Sequence, residues 1–363
     1  MKQPFALLTT DLHLSEKTDD QYRFEIFPWL LEQCKRYKLT AVFILGDLTD
    51  LKDNHSAWLV NRIADELRSL SAKVDLYILT GNHDYYDPAS PFFSFLRHMV
   101  HIQYFRTPTR TGGEFNGKLL NFVFVPSSKT FEQDWQSLHV YKGDAIFLHQ
   151  TFKGAVAENG VALDGLPTKV LKPHSGRVFS GDIHVPQQLG PVTYVGSPYH
   201  IKFGDKFTPR CLLIDTDFNT KDLHFPAPKK YMLRIRFVEQ LRDYKIRSGD
   251  FLKVEVRLTR SDLPERLGIR ADVKQVAQEL GAQLRGVSLK LSSRPVLRMD
   301  RGALQISRKS DMEIFKGYCQ QRGIAKEIMT TGLGFLEEQD HTSRENRKRG
   351  KDDKQRILRQ DGE

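Results

Sequence analysis

The chain is poor in cysteine. Cys34, Cys211 and Cys319 are scattered along 363 residues with no CxxC pair. That excludes a disulfide framework or a cysteine zinc knuckle and fits a reducing compartment. No apolar run approaches the roughly 20 residues of a membrane span. The opening "FALLTT" after Lys2 is too short for a signal-peptide core and runs straight into Asp11 and His13, so it is expected to be the first strand of a cytoplasmic protein. No internal repeat is evident, and an acidic excess is missing, because the formal net charge is +10. Residues 341–363 hold eight Lys/Arg against five Asp/Glu, which leaves +7 on the rest. A basic balance favours polyanionic partners, nucleic acid foremost, but alone does not decide the partner.

With 39% hydrophobic and 28% charged residues, the composition supports a packed core. The length allows a large first domain and a smaller second one. Over the first 150 residues apolar strands alternate with helical patterns, "FALLTT", 21–37, "AVFIL", 56–70 and "VDLYILT", which predicts an α/β layered fold. From residue 119 the apolar runs come closer together, as "LLNFVFVP", "DAIFLH", "RVFSGDIH", "VTYVGSP" and "CLLIDT". These are expected to form a second sheet packed on the first, with helices outside. "FPAPKK" at 225–230 reads as a linker.

Beyond the linker "YMLRIRF" is a strand. "FLKVEVRL" sets Leu252, Val254, Val256 and Leu258 against Lys253, Glu255 and Arg257, the alternation of a half-buried strand. "ADVKQVAQEL" as a helix and "GVSLKL" as a strand complete a small α+β module to about residue 293. "SDMEIFKGYCQQRG" opens with Ser310 and Glu313 spaced as a capping box and closes on Gly323. "AKEIMTTGLGFLEE" follows as a second short amphipathic segment, and the charged end of the chain reads as a disordered tail.

Five loops carry metal-ligand side chains at the C-terminal ends of predicted strands. "TTDLH" holds Asp11 and His13, "LGDLTD" holds Asp47, and "TGNHD" holds Asn82, His83 and Asp84. "FLHQ" supplies His149, and "SGDIH" supplies Asp182 and His184. In α/β sheets the carboxyl ends of strands open onto the binding crevice. A single instance carries little, since an Asp after a strand is usually a turn or helix cap and a lone His is usually structural. Five in this order point to one site.

The ordered set D-x-H, G-D, G-N-H-D, a lone His and G-x-x-H resembles the calcineurin-like metallophosphoesterase superfamily over residues 5 to about 205. The resemblance implies an α/β fold, a two-sheet sandwich flanked by helices, and a two-metal hydrolase. Two divalent ions roughly 4 Å apart would neutralise a phosphodiester, acidify a water and stabilise the leaving oxygen. Carboxylate, amide and imidazole together suit Mn2+ before Mg2+, Fe or Zn. Carried over position by position, Asp11, His13 and His184 hold the first metal, Asp47 bridges, and Asn82, His149 and Asp182 hold the second. His83 is left to protonate the leaving oxygen or stabilise the transition state, with Asp84 placed to orient it; otherwise Asp84 is a turn carboxylate. Most relatives read G-H-x-H where this chain has Gly181, Asp182, Ile183 and His184. A carboxylate there adds a negative charge and hardens the second site towards Mn2+ or Mg2+. The alternative is that Asp182 faces away and the second metal is weak or absent.

Within the superfamily, "YVGSPYHIKFGD" at 194–205 is similar to a segment of SbcD-type DNA exonucleases, Phe203, Gly204 and Asp205 being its specific part. That resemblance implies a nuclease domain over 1–228, an α+β capping domain over 229–303, and a helical segment over 304–340 that binds a coiled-coil, SbcC-like ATPase subunit. The charged tail follows over 341–363. It also implies a homodimer acting on DNA in the cytoplasm, the host's if the chain is phage-encoded. Between 85 and 118, Tyr85, Tyr86, Phe92, Phe93 and Phe105 interleave with Arg97, Arg106, Arg110 and Lys118. The mixture suits a single-strand or end-binding groove, although taken singly the phenylalanines suit a core and the arginines a solvated face. The nuclease relatives often place a histidine three residues after the bridging aspartate; here that residue is Asp50, with His55 the candidate to reach back.

The expected activity is therefore a Mn2+-dependent DNA exonuclease, with endonuclease action beside it. One alternative is a stand-alone phosphoesterase of nucleotides or phosphoproteins, which leaves 229–340 unexplained. Another is a non-catalytic scaffold for DNA or the ATPase, which the near-complete ligand set opposes.

Overall fold

Two six-stranded sheets face each other across an aromatic core. In spatial order the first is β12 (Thr220–Leu223), β11 (Cys211–Asp215), β1 (Pro4–Thr9), β2 (Ala41–Ile44), β3 (Asp75–Leu79) and β4 (Ile102–Phe105). The second is β5 (Thr109–Phe115), β6 (Lys118–Val125), β7 (Ala145–His149), β8 (Arg177–Gly181), β10 (Val192–Tyr194) and β9 (Gln187–Leu189). This computed structural model describes residues 1–128, 143–171, 176–259 and 266–291, with Cys319 and residues 329–331.

Strand alternation explains the layers. Ala41, Phe43, Tyr77 and Leu79 point between the sheets, while Val42, Ile44, Leu76 and Ile78 point outward to the helices. Between the sheets Phe43 stacks on Tyr77 and on Phe147, each at 4.7 Å, and Phe105 lies on Phe124 at 4.0 Å. Two helices, α1 (Ile26–Tyr37) and α2 (Ala57–Ser71), cover the outer face of the first sheet through Leu30, Ile63 and Leu67. α2 starts where the Ser56 hydroxyl accepts from the Leu59 amide at 3.2 Å, satisfying one of its unpaired N–H groups. α1 stops where Lys38 turns into the left-handed region.

β1 to β4 are mutually parallel, as are β6, β7, β8 and β10, so the C-terminal ends within each set lie at one edge. One expectation is corrected. "CLLIDT", read as part of the second sheet, is β11, and it pairs antiparallel with β1 in the first, Leu7 opposite Leu213. Every residue of β11 is buried, and a run buried on both faces carries no mark of which sheet it joins.

After residue 229 a third sheet forms from β13 (Lys230–Ile235), β14 (Phe251–Leu258) and β15 (Gln283–Leu291), all parallel, with α3 (Arg266–Glu279). Its own core gathers Leu233, Ile235, Leu252, Val254, Val256 and Val273. Glu255 was expected on the solvent face, yet it is only 8% exposed. Arg234, Arg257 and Lys290 close over its carboxylate at 3.7, 3.7 and 2.8 Å. All three sheets belong to the compact unit Met1–Ser293. Apart from Cys319 and residues 329–331, the segment over 304–340 and the tail over 341–363 lie outside the described residues. Among the described residues no helix is long and apolar enough to cross a membrane.

Candidate metal centre

β1, β2 and β3 of one sheet and β7 and β8 of the other run out into loops that converge. In two trios, Asp11–His13–His184 and Asp11–Asp47–His149, one donor atom from each residue lies within 4.8 Å of the others. Nε2 of His13 stands 3.1 Å from Nε2 of His184. Asp47 turns one oxygen to each side, Oδ2 at 3.6 Å from His13 Nε2 and Oδ1 at 3.4 Å from His149 Nε2. Beyond His149, Asp182 Oδ1 lies 3.8 Å from the same Nε2 and accepts from Asn82 Nδ2 at 3.2 Å. Asp182 thus faces into the cluster.

Outer contacts orient each imidazole so that Nε2 is left for the cluster. His149 Nδ1–H donates to the Leu45 carbonyl at 2.6 Å. His184 Nδ1 lies against Glu158, whose same oxygen is 3.6 Å from Lys202 Nζ. His13 Nδ1 lies 3.4 Å from Asp50 Oδ1. The Thr151 hydroxyl donates to the remaining oxygen of Asp182.

The backbone is strained at the same residues. Asp11, His13, Asp47 and Asp182 hold φ of 52°, 41°, 53° and 77°, a conformation that costs about 1–3 kcal/mol in a non-glycine residue. Two glycines make room. A Cβ on Gly46 would stand 2.3 Å from His149 Nδ1, and one on Gly81 would stand 2.1 Å from Asp47 Oδ1.

The electrostatics are incomplete without a cation. Asp11 is 0% exposed, and neither of its oxygens has a hydrogen-bond partner; His149 Nε2 is buried and equally unpartnered. Burial raises the Asp11 pKa against the pull of His149 and His184. Burial would also raise Asp47, but His149, His13 and His83 hold it below the ordinary carboxylate range. For His149 burial favours the neutral ring, yet Asp47, Asp11 and Asp182 carry its pKa well above the ordinary value. Buried charges persist when they are paired or ligate metals, and this donor set of carboxylate, imidazole and amide fits divalent ions.

Of the two readings of Asp84, its contacts favour the turn carboxylate and extend it to a second loop. Its carboxylate accepts from the amides of Gly81, Leu48, Asp47 and Thr49 at 2.7, 2.9, 3.0 and 3.4 Å. It therefore clamps the loop after β2 to the loop after β3 and does not orient His83. Burial and then the Asp47 charge push it up to about 7, while the Gly81 amide, His149 and the Thr49 amide pull the other way. His83 sits half-buried beside the cluster. Its amide donates to Asp47 Oδ1 at 2.8 Å, its ring meets His13 edge-on at 4.9 Å, and its Nδ1 is 3.3 Å from the Asp50 carbonyl.

Other sequence candidates stay outside. His55 packs on Phe92 and Phe93 at 4.5 and 5.3 Å, with Nε2 3.3 Å from the Thr49 hydroxyl, so it does not reach back to the ligands. Lys118 begins β6 and pairs with Asp217 at 3.0 Å, at the end of the strand away from the cluster. Arg97, Arg106 and Arg110 are exposed and bond to His98, the Ala89 carbonyl and Asn121. Tyr85, Phe93 and Phe105 are core residues, so the stretch 85–118 does not present its aromatics together as a stacking surface. Glu158 and Thr151 went unseen in the sequence, where no motif marks their loop. Asp50 was noticed only as a departure.

A sequence profile described as Calcineurin-like phosphoesterase matches residues 6–193. The chain belongs to that family. As a calcineurin-like phosphoesterase it carries every donor from Asp11 to His184 inside the matched span. The third sheet lies beyond that span. Exonuclease subunit 1 of Enterobacteria phage T4 is 22% identical over 268 residues, covering 71% of this chain and 77% of that protein. Similar solved structures include GAP50, the anchor in the inner membrane complex of Plasmodium, at TM-score 0.39 and 10% identity, covering 62% of this chain and 90% of that one. Another is a dimetal phosphatase from Danio rerio at TM-score 0.29 and 14% identity, covering 52% and 73%. The family implies divalent metal ions, and the buried, unpartnered donors are where they would bind.

Proposed function

We propose that this phosphoesterase is the catalytic subunit of a DNA nuclease that uses two divalent ions, Mn2+ first and Mg2+ second, and works with a coiled-coil ATPase subunit. The observation that carries the reading is the paired donor cluster, the buried imidazoles of His13 and His149, the partly buried one of His184 and the buried carboxylates of Asp11 and Asp47, converging beside Asp182 and Asn82, in a chain similar to a phage exonuclease subunit. The net charge of +10 supports a polyanionic substrate.

Asp11, His13 and His184 would hold one ion and Asn82, His149 and Asp182 the other, with Asp47 between them. When bound, such ions neutralise phosphate charge and acidify water to act near neutral pH. The chain's own part is to hold the donors rigid through Leu45, Glu158 and Asp50, and to set His83 beside them. With Nδ1 turned to the Asp50 carbonyl, His83 keeps Nε2 to hold or deliver a proton at the leaving oxygen. His83 and the seven ligands are the proposed site; a homodimer and an ATPase-binding segment over 304–340 belong to the same proposal.

The test is a purified chain with Mn2+ offered end-labelled duplex DNA, a cyclic nucleotide and a phosphopeptide in parallel. Preferential release of nucleotides from DNA, stopped by chelator, is expected. Much faster cleavage of the cyclic nucleotide or the phosphopeptide would replace this reading with a stand-alone phosphoesterase. Well under two ions per chain with no cleavage would replace it with a scaffold.

A further inference from the structure

The segment Thr18–Glu25, a 3-10 turn between the Asp11–His13 loop and α1, belongs to neither large sheet. Its buried side chains include charged ones, Arg23 at 3% and Asp20 at 5% exposure. Arg23 Nη1 donates to the main-chain carbonyl of His13, and Nη2 lies 2.8 Å from Asp20 Oδ1. The same Asp20 oxygen accepts from Lys230 Nζ at 2.8 Å, and the other accepts from the Ser15 hydroxyl at 2.9 Å. Lys230 is the first residue of β13 and is itself 5% exposed.

The third sheet grips this segment twice more. Arg285 of β15 pairs with Asp19 at 2.9 Å, and Phe251 of β14 lies 5.6 Å from the Tyr22 ring. Behind the ligand loop, the Tyr199 hydroxyl donates to the Leu12 carbonyl while the Arg23 guanidinium lies 5.6 Å from the Tyr199 ring. Arg23 and Tyr199 therefore hold consecutive carbonyls of the strained loop that presents Asp11 and His13.

Stability alone does not account for this arrangement. Burying charged groups in such a network is often no better than packing apolar side chains of the same volume. What an apolar substitute cannot do is donate a directed hydrogen bond to the His13 carbonyl. We propose that Arg23 is a positioning residue for Asp11 and His13, and that the Asp20–Lys230 pair couples it to the third sheet. The state of that module then sets how well the first-metal ligands receive a divalent cation. The proposal rests on reading the cluster as a metal centre.

The test uses the full chain, stripped by chelator and titrated with Mn2+ well below its melting temperature. Binding is followed by calorimetry and by hydrolysis of a small chromogenic phosphodiester, which needs no DNA contact. Lys230→Met and Arg23→Lys are each expected to raise the Mn2+ concentration for half-saturation about tenfold or more, the usual effect of removing an outer partner of a metal ligand. KM for the phosphodiester at saturating Mn2+ is expected to stay unchanged. Arg242→Met, which removes an exposed pair with Glu279 on the same module, is expected to match the wild type. The double variant Arg23→Lys/Lys230→Met is expected to be no worse than the weaker single, because both act through one chain of contacts. Should Lys230→Met not fold, Asp20→Asn breaks the same link with little change of shape. A folded Lys230→Met or Asp20→Asn with wild-type Mn2+ dependence overturns the coupling, and the same result for Arg23→Lys overturns the positioning role. A wild-type chain that binds no Mn2+ instead sinks the metal-centre reading beneath it.

Discussion

Asp11 shows what the site costs in the absence of a cation. Its carboxylate is wholly buried, unpartnered and carried on left-handed backbone, so desolvation and strain both oppose the metal-free fold. Asp11→Asn is expected to melt higher than the wild type when both are metal-free, and to lose most of the upward shift that Mn2+ gives the wild type. Thermal melts with and without chelator check both. His83 differs in kind, since it lies beside the cluster and is not one of the proposed ligands. His83→Gln is expected to cut phosphodiester hydrolysis by about 100-fold or more while metal content stays at the wild-type level. Loss of metal together with activity would make it a ligand.

At the scale of elements, the loops are held by groups that look incidental in sequence. Asp84 serves four amides from two loops, and a buried donor left unpaired costs about 1–3 kcal/mol. Asp84→Ala is therefore expected to lower the unfolding free energy by about 3 kcal/mol or more in urea titrations, with the Asp47 loop released. The Thr18–Glu25 segment is expected to be acid-sensitive for a related reason. Burial opposes ionisation of Asp20, but Arg23, Lys230 and Ser15 outweigh it and hold its pKa below the ordinary value. A depressed carboxylate contributes stability that is present above the unfolded pKa of about 4 and is lost as pH falls through the folded value. Lys230 is itself lowered by burial and by Arg23, against the pull of Asp20. Wild type should lose stability on acidification below about pH 4 more steeply than Asp20→Asn, as denaturation at stepped pH would show. Equal slopes would mean that Asp20 gains nothing from its two cations.

For the whole molecule, cation binding and folding are linked. The ligands come from both large sheets, from Asp11 near the N-terminus to His184, so a bound ion favours the folded chain over the unfolded one. At a free ion concentration 100 times the dissociation constant, that linkage is worth about 2.7 kcal/mol. Mn2+ is expected to raise the melting temperature by several degrees, reversibly with chelator. No shift would mean that the donors do not bind it.

The order of donor-bearing loops was legible in the sequence because each follows a short, continuous apolar run. Local pattern likewise marked β1 to β3, both covering helices and the third sheet. What the sequence could not show is who answers whom. β11 joins β1 because pairing is chosen across two hundred residues, by which edge stands open in the assembled sheet. Asp84 turned to amides, and away from His83, because the loops it joins meet only in the folded sandwich. Glu158 reached His184, and Lys230 reached Asp20 across some two hundred residues, only in the folded chain. Chemical type is written residue by residue, so the sequence alone determined that this chain can build a metal-dependent phosphoesterase. Orientation, burial and second partners depend on chain segments distant in sequence, and only the tertiary structure decided them.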